Sequence, residues 1–365
     1  WTPLDCVRAI AGQATNAAVR QLVDEVSERP TVELTVVGDE QVLGARFADM
    51  DNDKIVFFTE MAVGLYSLSC HSILWKQKLT QLRVQATVCA VAVNPEVGMI
   101  AVFVEVTGTK PAVQNLIIIW PTGQLQDGEE PLKLMVEAGV MEASTLPPAV
   151  ASSASRSHPI LLCRVRAGSV FCWRLNVHCS QLMSEFKITE SSGLIAISDD
   201  GRWFAVADSP APQQVAVWSF QSDDGMFRRA PRQVTTMNRS PVSMAVSSDG
   251  QGGRCLLALA EDLYAAPSAP IDVLAVEADG TTRRTYCLRP QTQCRMLTFC
   301  YDSPDILLSG HEDGLIVVYN LRSGQQRLSH DDTGVRSACM SGDGKLIVTT
   351  VNDCFRVFKV STQVR

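Results

Sequence analysis

Residues 306–324 contain the feature that most restricts what this chain can fold into. Their sequence is Ile-Leu-Leu-Ser-Gly-His-Glu-Asp-Gly-Leu-Ile-Val-Val-Tyr-Asn-Leu-Arg-Ser-Gly. Two short apolar runs are separated by an Asp-Gly pair and followed by a Ser-Gly pair, a pattern typical of a β-hairpin. The segment therefore predicts two antiparallel strands that need further strands beside them, so the pattern elsewhere in the chain decides the fold.

The polar residues of this segment are spaced for a shared hydrogen-bond network. Ser309 and Asp313 lie where a hydroxyl and a carboxylate can meet across the turn, and Tyr319 follows on the second strand. The segment resembles one blade of a WD-repeat β-propeller, with Tyr319-Asn320 in place of the Trp-Asp dipeptide. The resemblance implies that these residues hold the fold and that His330, which comes just before the next unit, closes the buried network.

The same pattern of strands and turns recurs along the chain. Each unit has three apolar strands and a weaker, more polar fourth strand, and the spacing fits the ~40–50 residues of a propeller blade. The third unit is expected to begin with a strand at 140–143, followed by a loop over 143–158. The fourth strand of the fourth unit is expected at 228–234. First strands are predicted to begin near residues 42, 88, 140, 193, 241, 295 and 335.

The resulting prediction is an all-β, seven-bladed β-propeller over residues 31–365. A strand at 32–37 is expected to complete the last blade, because the seventh unit lacks a fourth strand. Such a closure leaves the ring without an open gap. Residues 1–30 are predicted to form a separate helical segment that ends at Arg29-Pro30. Its apolar residues recur at helical spacing, namely Leu4, Val7, Ile10, Ala14, Ala18, Leu22 and Val26.

Composition restricts the partners and the compartment. The chain has 46% hydrophobic residues, 19% charged residues and a formal net charge of −7. Nucleic acid is therefore disfavoured as the main partner, although a local basic patch remains open. No apolar run approaches the ~20 residues that span a bilayer. The twelve cysteines are scattered singly, which predicts reduced thiols in the cytoplasm or nucleus, with organellar targeting left open.

No motif predicts a metal site, a cofactor site or a catalytic residue. Asp49, Asp51, Asp53 and Glu60 have calcium-loop spacing, but Lys54 occupies the glycine position and residues 54–59 favour a strand. Cys163, Cys172, His178 and Cys179 lack the Cys-x-x-Cys pair of a zinc site. No serine or cysteine lies in a nucleophile motif, and no glycine-rich phosphate loop is present. The protein is therefore predicted not to be an enzyme.

Two sets of residues are candidates for binding a partner. Basic side chains fall on the predicted outer strands of units four and five, which are neighbours on the circumference. Longer loops follow the second strands of the same two units, where binding residues tend to lie. The basic set is Arg228, Arg229, Arg232, Arg283 and Arg284. The loop set is Asp208, Pro210, Pro212, Tyr264 and Pro267.

The resemblance to WD-repeat proteins implies a non-catalytic scaffold, a subunit that binds other proteins of a larger assembly. Two alternatives stay open. Tyr319-Asn320-Leu321-Arg322 is similar to the Trp-Asp-x-Arg motif by which some members dock onto a cullin–RING ubiquitin ligase, with Arg322 as the contact. The basic set would instead suit an RNA-associated scaffold, for example in ribosome assembly.

Overall fold

A computed structural model of the chain shows an all-β protein. In its described part it contains 29 strands and two short 3-10 helices, Leu79–Leu82 and Thr122–Gln124. No helix in this part is long and apolar enough to cross a bilayer. The structure describes residues 32–35, 41–82, 86–106, 114–125, 131–136, 149–154, 159–164, 169–175, 181–187, 194–208, 213–221, 226–227, 232–237, 241–249, 253–261, 269–290, 292–330 and 335–360.

The strands form seven antiparallel sheets, named here sheets 1 to 7. The first strand in the chain is β1 (Val32–Thr35). Sheet 1 contains β2 (Gly44–Phe47), β3 (Lys54–Phe58), β4 (Ala62–Ser67) and β5 (Ser72–Lys78). Sheet 2 contains β6 (Ala86–Asn94), β7 (Met99–Val106), β8 (Gln114–Pro121) and β9 (Leu132–Val136). Sheet 3 contains β10 (Ala149–Ser152), β11 (Ile160–Arg164), β12 (Ser169–Arg174) and β13 (Gln181–Lys187).

The later part of the chain repeats this order. Sheet 4 contains β14 (Ile195–Ile197), β15 (Trp203–Asp208), β16 (Gln213–Gln221), β17 (Met226–Phe227) and β18 (Arg232–Met237). Sheet 5 contains β19 (Pro241–Ser248), β20 (Arg254–Glu261), β21 (Ile271–Glu277) and β22 (Thr282–Leu288). Sheet 6 contains β23 (Cys294–Phe299), β24 (Ile306–His311), β25 (Leu315–Asn320) and β26 (Gln325–His330). Sheet 7 contains β27 (Ser337–Met340), β28 (Leu346–Val351) and β29 (Cys354–Lys359), with β1 beside β29.

The seven sheets close into a ring. The first strand of each sheet contacts the first strands of the next and preceding sheets, and β27 of sheet 7 contacts β2 of sheet 1. The first strands therefore surround a central channel, and the fourth strands lie on the outside. This arrangement confirms the predicted seven-bladed, all-β fold.

The core consists of seven apolar clusters, one between each pair of neighbouring sheets in the described chain. Aromatic rings join several of these interfaces. Trp75 of sheet 1 meets Trp120 of sheet 2 with 5.5 Å between ring centroids. Phe57 of sheet 1 lies 5.8 Å from Phe355 of sheet 7. Because each sheet buries both faces, its inner strands are apolar almost throughout, unlike strands with one wet face.

Sheet 7 takes its fourth strand from the part of the chain that precedes sheet 1. Val32 lies opposite Val357 and Thr35 lies opposite Cys354, in an antiparallel pairing of β1 with β29. Two more contacts cross the junction between sheets 7 and 1. The amide of Val42 donates to the carbonyl of Asn352 at 2.7 Å, and Arg336 donates to Oε1 of Gln41 at 2.8 Å. The helix predicted within residues 1–30 lies outside the described residues.

Two sequence-based strand assignments need correction. The first strand of sheet 3 is β10, which pairs with β11, whereas the prediction placed it at 140–143 and assigned 143–158 to a loop. β10 was missed because Ala-Val-Ala-Ser has a single β-branched residue among small ones, which is a weak strand signal. In sheet 4, the described fourth strand is β18 at Arg232–Met237, whereas the prediction was 228–234, and residues 228–231 lie outside the described residues. The two-residue strand β17 pairs with the far end of β16.

The ten described cysteines form no disulfide bonds. Six of them are buried, where cysteine packs as a small apolar residue. Burial raises the pKa of the Cys294 and Cys300 thiols to about 12. These thiols therefore stay protonated and unreactive at neutral pH.

Candidate protein-interaction surfaces

The two ends of the ring differ in the turns that form them. Antiparallel strands alternate in direction, so the turns between first and second strands and between third and fourth strands share one end. This end is called the first-turn face. The turns between second and third strands and the connections between sheets form the opposite end, called the connection face.

The central channel contains a cavity of about 310 Å³ near the first-turn face. Side chains from the first strands of all seven sheets line it. Much of the wall is small and apolar, as at Val91, Ala196 and Ala245. Asp199 and Tyr301, both from turns after first strands, also line the cavity. The channel is therefore lined by both apolar and polar groups.

Hydrogen bonds between sheets tie the first-turn face together. The hydroxyl of Tyr301 in sheet 6 donates to the carboxylate of Glu96 in sheet 2, on the other side of the channel. The amide of Gly342 donates to Oδ1 of Asn52 at 3.1 Å, which joins sheet 7 to sheet 1. The amide of Asp302 donates to the carbonyl of Gly342 at 2.9 Å. These bonds connect turns of sheets 1, 2, 6 and 7 on this face.

The first-turn face also brings carboxylates from several sheets together. Burial, with the neighbouring charges of Asp200 and Asp302, raises the pKa of Asp199 to about 7. Burial, together with Asp343 and Glu96, raises the pKa of Asp302. These shifts show that carboxylates from several sheets repel one another here. No group of three or more histidine, cysteine, aspartate or glutamate side chains in the described part could hold a metal ion.

The residues whose spacing resembled a calcium or zinc site have structural roles in the described part of the chain. Asp49 Oδ1 accepts from the amides of Asp53 and Lys54, both at 3.0 Å, so this carboxylate caps an acidic turn between two strands. Cys163 and Cys172 are buried on the facing strands β11 and β12. His178 and Cys179 lie outside the described residues.

A buried polar network holds β24 and β25 of sheet 6. Nδ1 of His311 bonds the carbonyl of Thr292 at 3.1 Å, so it carries the proton. Nε2 then accepts from the hydroxyl of Ser309 at 2.8 Å. Burial raises the pKa of Tyr319 to about 12, although the neighbouring Ser309 hydroxyl acts to lower it.

This network differs from the predicted one at Asp313 and by containing His311. The imidazole beside Ser309 is that of His311. His330 ends β26 opposite Leu315, and its side chain lies outside the described residues. Asp313 accepts from the hydroxyl of Thr292 and from the amide of Leu315, both at 3.1 Å, and does not bond Ser309. Residues two apart on a strand share a face, so the sequence Ser-Gly-His at 309–311 could have predicted the bond between Ser309 and His311. The WD-repeat pattern directed the prediction to His330 instead.

The predicted partner-binding residues are only partly described. Arg283 and Arg284 lie side by side on the exposed strand β22. Arg284 forms an ion pair with Asp272 and donates to Sγ of Cys287 at 2.9 Å. Asp208 ends β15 and Arg232 begins β18. Pro210, Pro212, Tyr264, Pro267, Arg228 and Arg229 lie outside the described residues.

Arg322 occupies the turn between β25 and β26 on the first-turn face. Its side chain is 85% exposed, and Nη2 lies 3.2 Å from Oδ2 of Asp305. An ion pair this exposed holds the guanidinium only weakly. Arg322 is therefore accessible to a partner, as a contact at the last position of a Trp-Asp-x-Arg-like motif requires.

Comparisons with known proteins agree with the fold. No family model matches the sequence, and no curated protein matches it. Among solved structures, 1424 chains match. One belongs to a structure described as "Crystal Structure of Mitotic Checkpoint Complex". That chain is 16% identical, the match covers 92% of this chain and 93% of that chain, and the TM-score is 0.63.

The likeness shows the fold. The match extends over nearly the whole of both chains. A fold shared by so many chains selects no single function, which has to be argued from this chain's own surface.

Proposed function

We propose that this protein is a non-catalytic subunit of a larger assembly and binds an acidic segment of a partner protein along β22. The observation that carries the proposal is a basic outer strand on a protein of net charge −7. The structural neighbour in a mitotic checkpoint complex offers a precedent for a propeller within a multiprotein assembly. It does not indicate which assembly would contain this chain.

β22 combines exposure with positive charge. Arg283 is exposed on the strand, and Arg289 is exposed just beyond its end. Asp272 neutralises Arg284, so Arg283 and Arg289 are the residues with charge to offer a partner. Opposite charges steer association and select partners more than they add affinity. An acidic partner segment suits this strand for that reason.

The Ser309–His311 pair does not support a hydrolase. A serine hydroxyl bonded to an imidazole is the beginning of a nucleophilic site. However, both residues are fully buried, and Nδ1 of His311 faces a backbone carbonyl rather than a carboxylate. No substrate can reach this hydroxyl, so the pair stabilises sheet 6 instead.

Reversing the charge of β22 tests the proposal. Tagged protein with Arg283→Glu and Arg289→Glu should lose its co-purifying partner, as measured by quantitative mass spectrometry of the complex. Lys359→Glu is the matched control because Lys359 is also exposed but lies on β29 of sheet 7. Unchanged recovery of every partner with the double variant would contradict binding along β22. Recovery of free monomer alone from wild-type protein would contradict the scaffold function itself.

The exposure of Arg322 favours a second candidate, the substrate receptor of a cullin–RING ubiquitin ligase. Arg322→Ala should then abolish capture of the ligase adaptor by the purified protein while leaving β22-dependent partners bound. Failure of the wild-type protein to capture the adaptor would exclude this function. An RNA-associated scaffold would instead show salt-dependent binding of RNA that weakens with the β22 variant.

A further inference from the structure

The outer strand of sheet 1 exposes two large apolar side chains. Ile73 is 42% exposed and Leu74 is 48% exposed. These two residues are called the rim patch. In the described chain, the other large apolar side chains with comparable exposure are Met50 and Met61, which lie in turns. Adjacent apolar residues on an open sheet edge favour contact with another chain segment.

The strand pairing shows which way the rim patch points. Ile73 lies directly opposite Tyr66 on β4, so both side chains project from the same face of sheet 1. Tyr66 contacts Phe355 of sheet 7 edge to face, with 5.6 Å between ring centroids. Ile73 therefore faces the outer side of the junction between sheets 1 and 7. Leu74 is the extra residue of a bulge at this point in the pairing.

The chain enters the described structure at the same corner. β1 is the outer strand of sheet 7 and runs antiparallel to β29, so it starts at the end where β29 finishes. That end belongs to the first-turn face. β5 also starts at the first-turn face, because it follows the turn between the third and fourth strands of sheet 1. Val32 and the rim patch thus occupy neighbouring positions on one rim of the ring.

The sequence before β1 supplies a suitable occupant. At 100° per residue, Leu4, Val7, Ile10, Ala14, Ala18, Leu22 and Val26 fall on one side of a helix. Residues 27–31 can span about 17 Å when extended, which gives the helix enough reach to turn back onto sheet 1. We propose that residues 4–26 form an amphipathic helix that packs on the rim patch and covers the outer junction between sheets 1 and 7.

Hydrogen exchange in the full-length chain tests this contact. In the wild-type protein, the amides of residues 4–26 should exchange at least about tenfold more slowly than in a synthetic peptide of residues 1–31. Ile73→Ser with Leu74→Ser should remove that protection. Met61→Ser is the matched control, since Met61 is 37% exposed in a turn of the connection face, and it should leave the protection intact. Equal protection in the rim-patch variant and the wild type would overturn the proposal.

A second variant changes the helix and leaves the sheets untouched. Leu22→Asp with Val26→Asp should remove the protection, whereas Gln13→Asp with Asn16→Asp, on the opposite side of the helix, should retain it. Light scattering tests whether a second copy of the chain, rather than the helix, covers the rim patch. A wild-type dimer that becomes a monomer with the rim-patch variant would show that a second copy covers the patch, and this result would also overturn the proposal.

Discussion

Ser309 and His311 are fully buried, so each must find its hydrogen-bond partner inside the protein. The hydroxyl donates to the imidazole, and the imidazole is held from its other side by the carbonyl of Thr292. Burial lowers the pKa of His311, so its ring is neutral at neutral pH. The pair therefore stabilises the fold only while both members are present.

Removing the hydroxyl should be costly. Ser309→Ala leaves Nε2 of His311 buried without this donor, and a lost partner of this kind costs about 1–3 kcal/mol. Urea unfolding should show that loss in the free energy of unfolding. Ser323→Ala, in an exposed turn of the same sheet, should change it by less than about 0.5 kcal/mol. Equal effects of the two substitutions would refute the role assigned to the network.

Asp199 should make the protein less stable as pH rises. Its folded pKa of about 7 exceeds the ordinary 3.8, so the folded state binds more protons than the unfolded chain between these values. Stability is consequently lost as pH rises through this window, at up to about 1.4 kcal/mol per pH unit. Asp199→Asn should raise the melting temperature at pH 8 and leave it nearly unchanged at pH 4. Asp353→Asn is the control, because Asp353 is exposed on the connection face. An equal rise in melting temperature at pH 8 for this control would contradict the role assigned to the ionisation of Asp199.

Within sheet 1, two glycines lie opposite phenylalanine rings. Gly44 pairs with Phe58 and Gly64 pairs with Phe57. A Cβ at Gly64 would overlap the buried ring of Phe57, with Cε1 only 2.7 Å away. Each ring thus covers the backbone of the glycine across from it, a known means of stabilising glycine in a sheet.

Alanine at position 64 should therefore destabilise the protein. The ring of Phe57 must move within a closely packed interface, and overpacking of this kind costs about 1–3 kcal/mol. Gly123→Ala is the control because a Cβ there meets no atom within 4 Å. Thermal unfolding should show a lower melting temperature for Gly64→Ala and an unchanged one for Gly123→Ala. Near-identical melting of the two variants would mean that Phe57 adjusts without cost.

At the scale of elements, sequence reasoning succeeded where strands are apolar and turns carry glycine or aspartate. β24 and β25 illustrate this, since a buried apolar strand and a tight turn both leave local signals. β10 has no clear local signal in the sequence because its residues are small, and it is a strand because it pairs with β11. The start of β18 likewise depends on its pairing with β16, which no local pattern encodes.

For the whole molecule, the count of seven sheets followed from the repeat, but the contacts across the channel could not be predicted. Tyr301 and Glu96 belong to different sheets and meet only because the ring closes. The same holds for Gly342 and Asn52. The first-turn face is limited in the same way, because its carboxylates come from separate turns that only the closed ring brings together.

We predict that the pairing of β1 with β29 helps to close the ring, so its loss should act first on sheet 7. In an antiparallel pair, alternate residues donate to the neighbouring strand, so Glu33→Pro with Leu34→Pro must remove one donor to β29. Amides of Cys354–Lys359 should then exchange at least about tenfold faster, while those of β15 in sheet 4 keep their wild-type rates. The two strands are measured in one sample, so each experiment contains its own control. An equal rise in both would show that the ring opens as one cooperative unit, and no rise in β29 would show that β1 contributes nothing to closure.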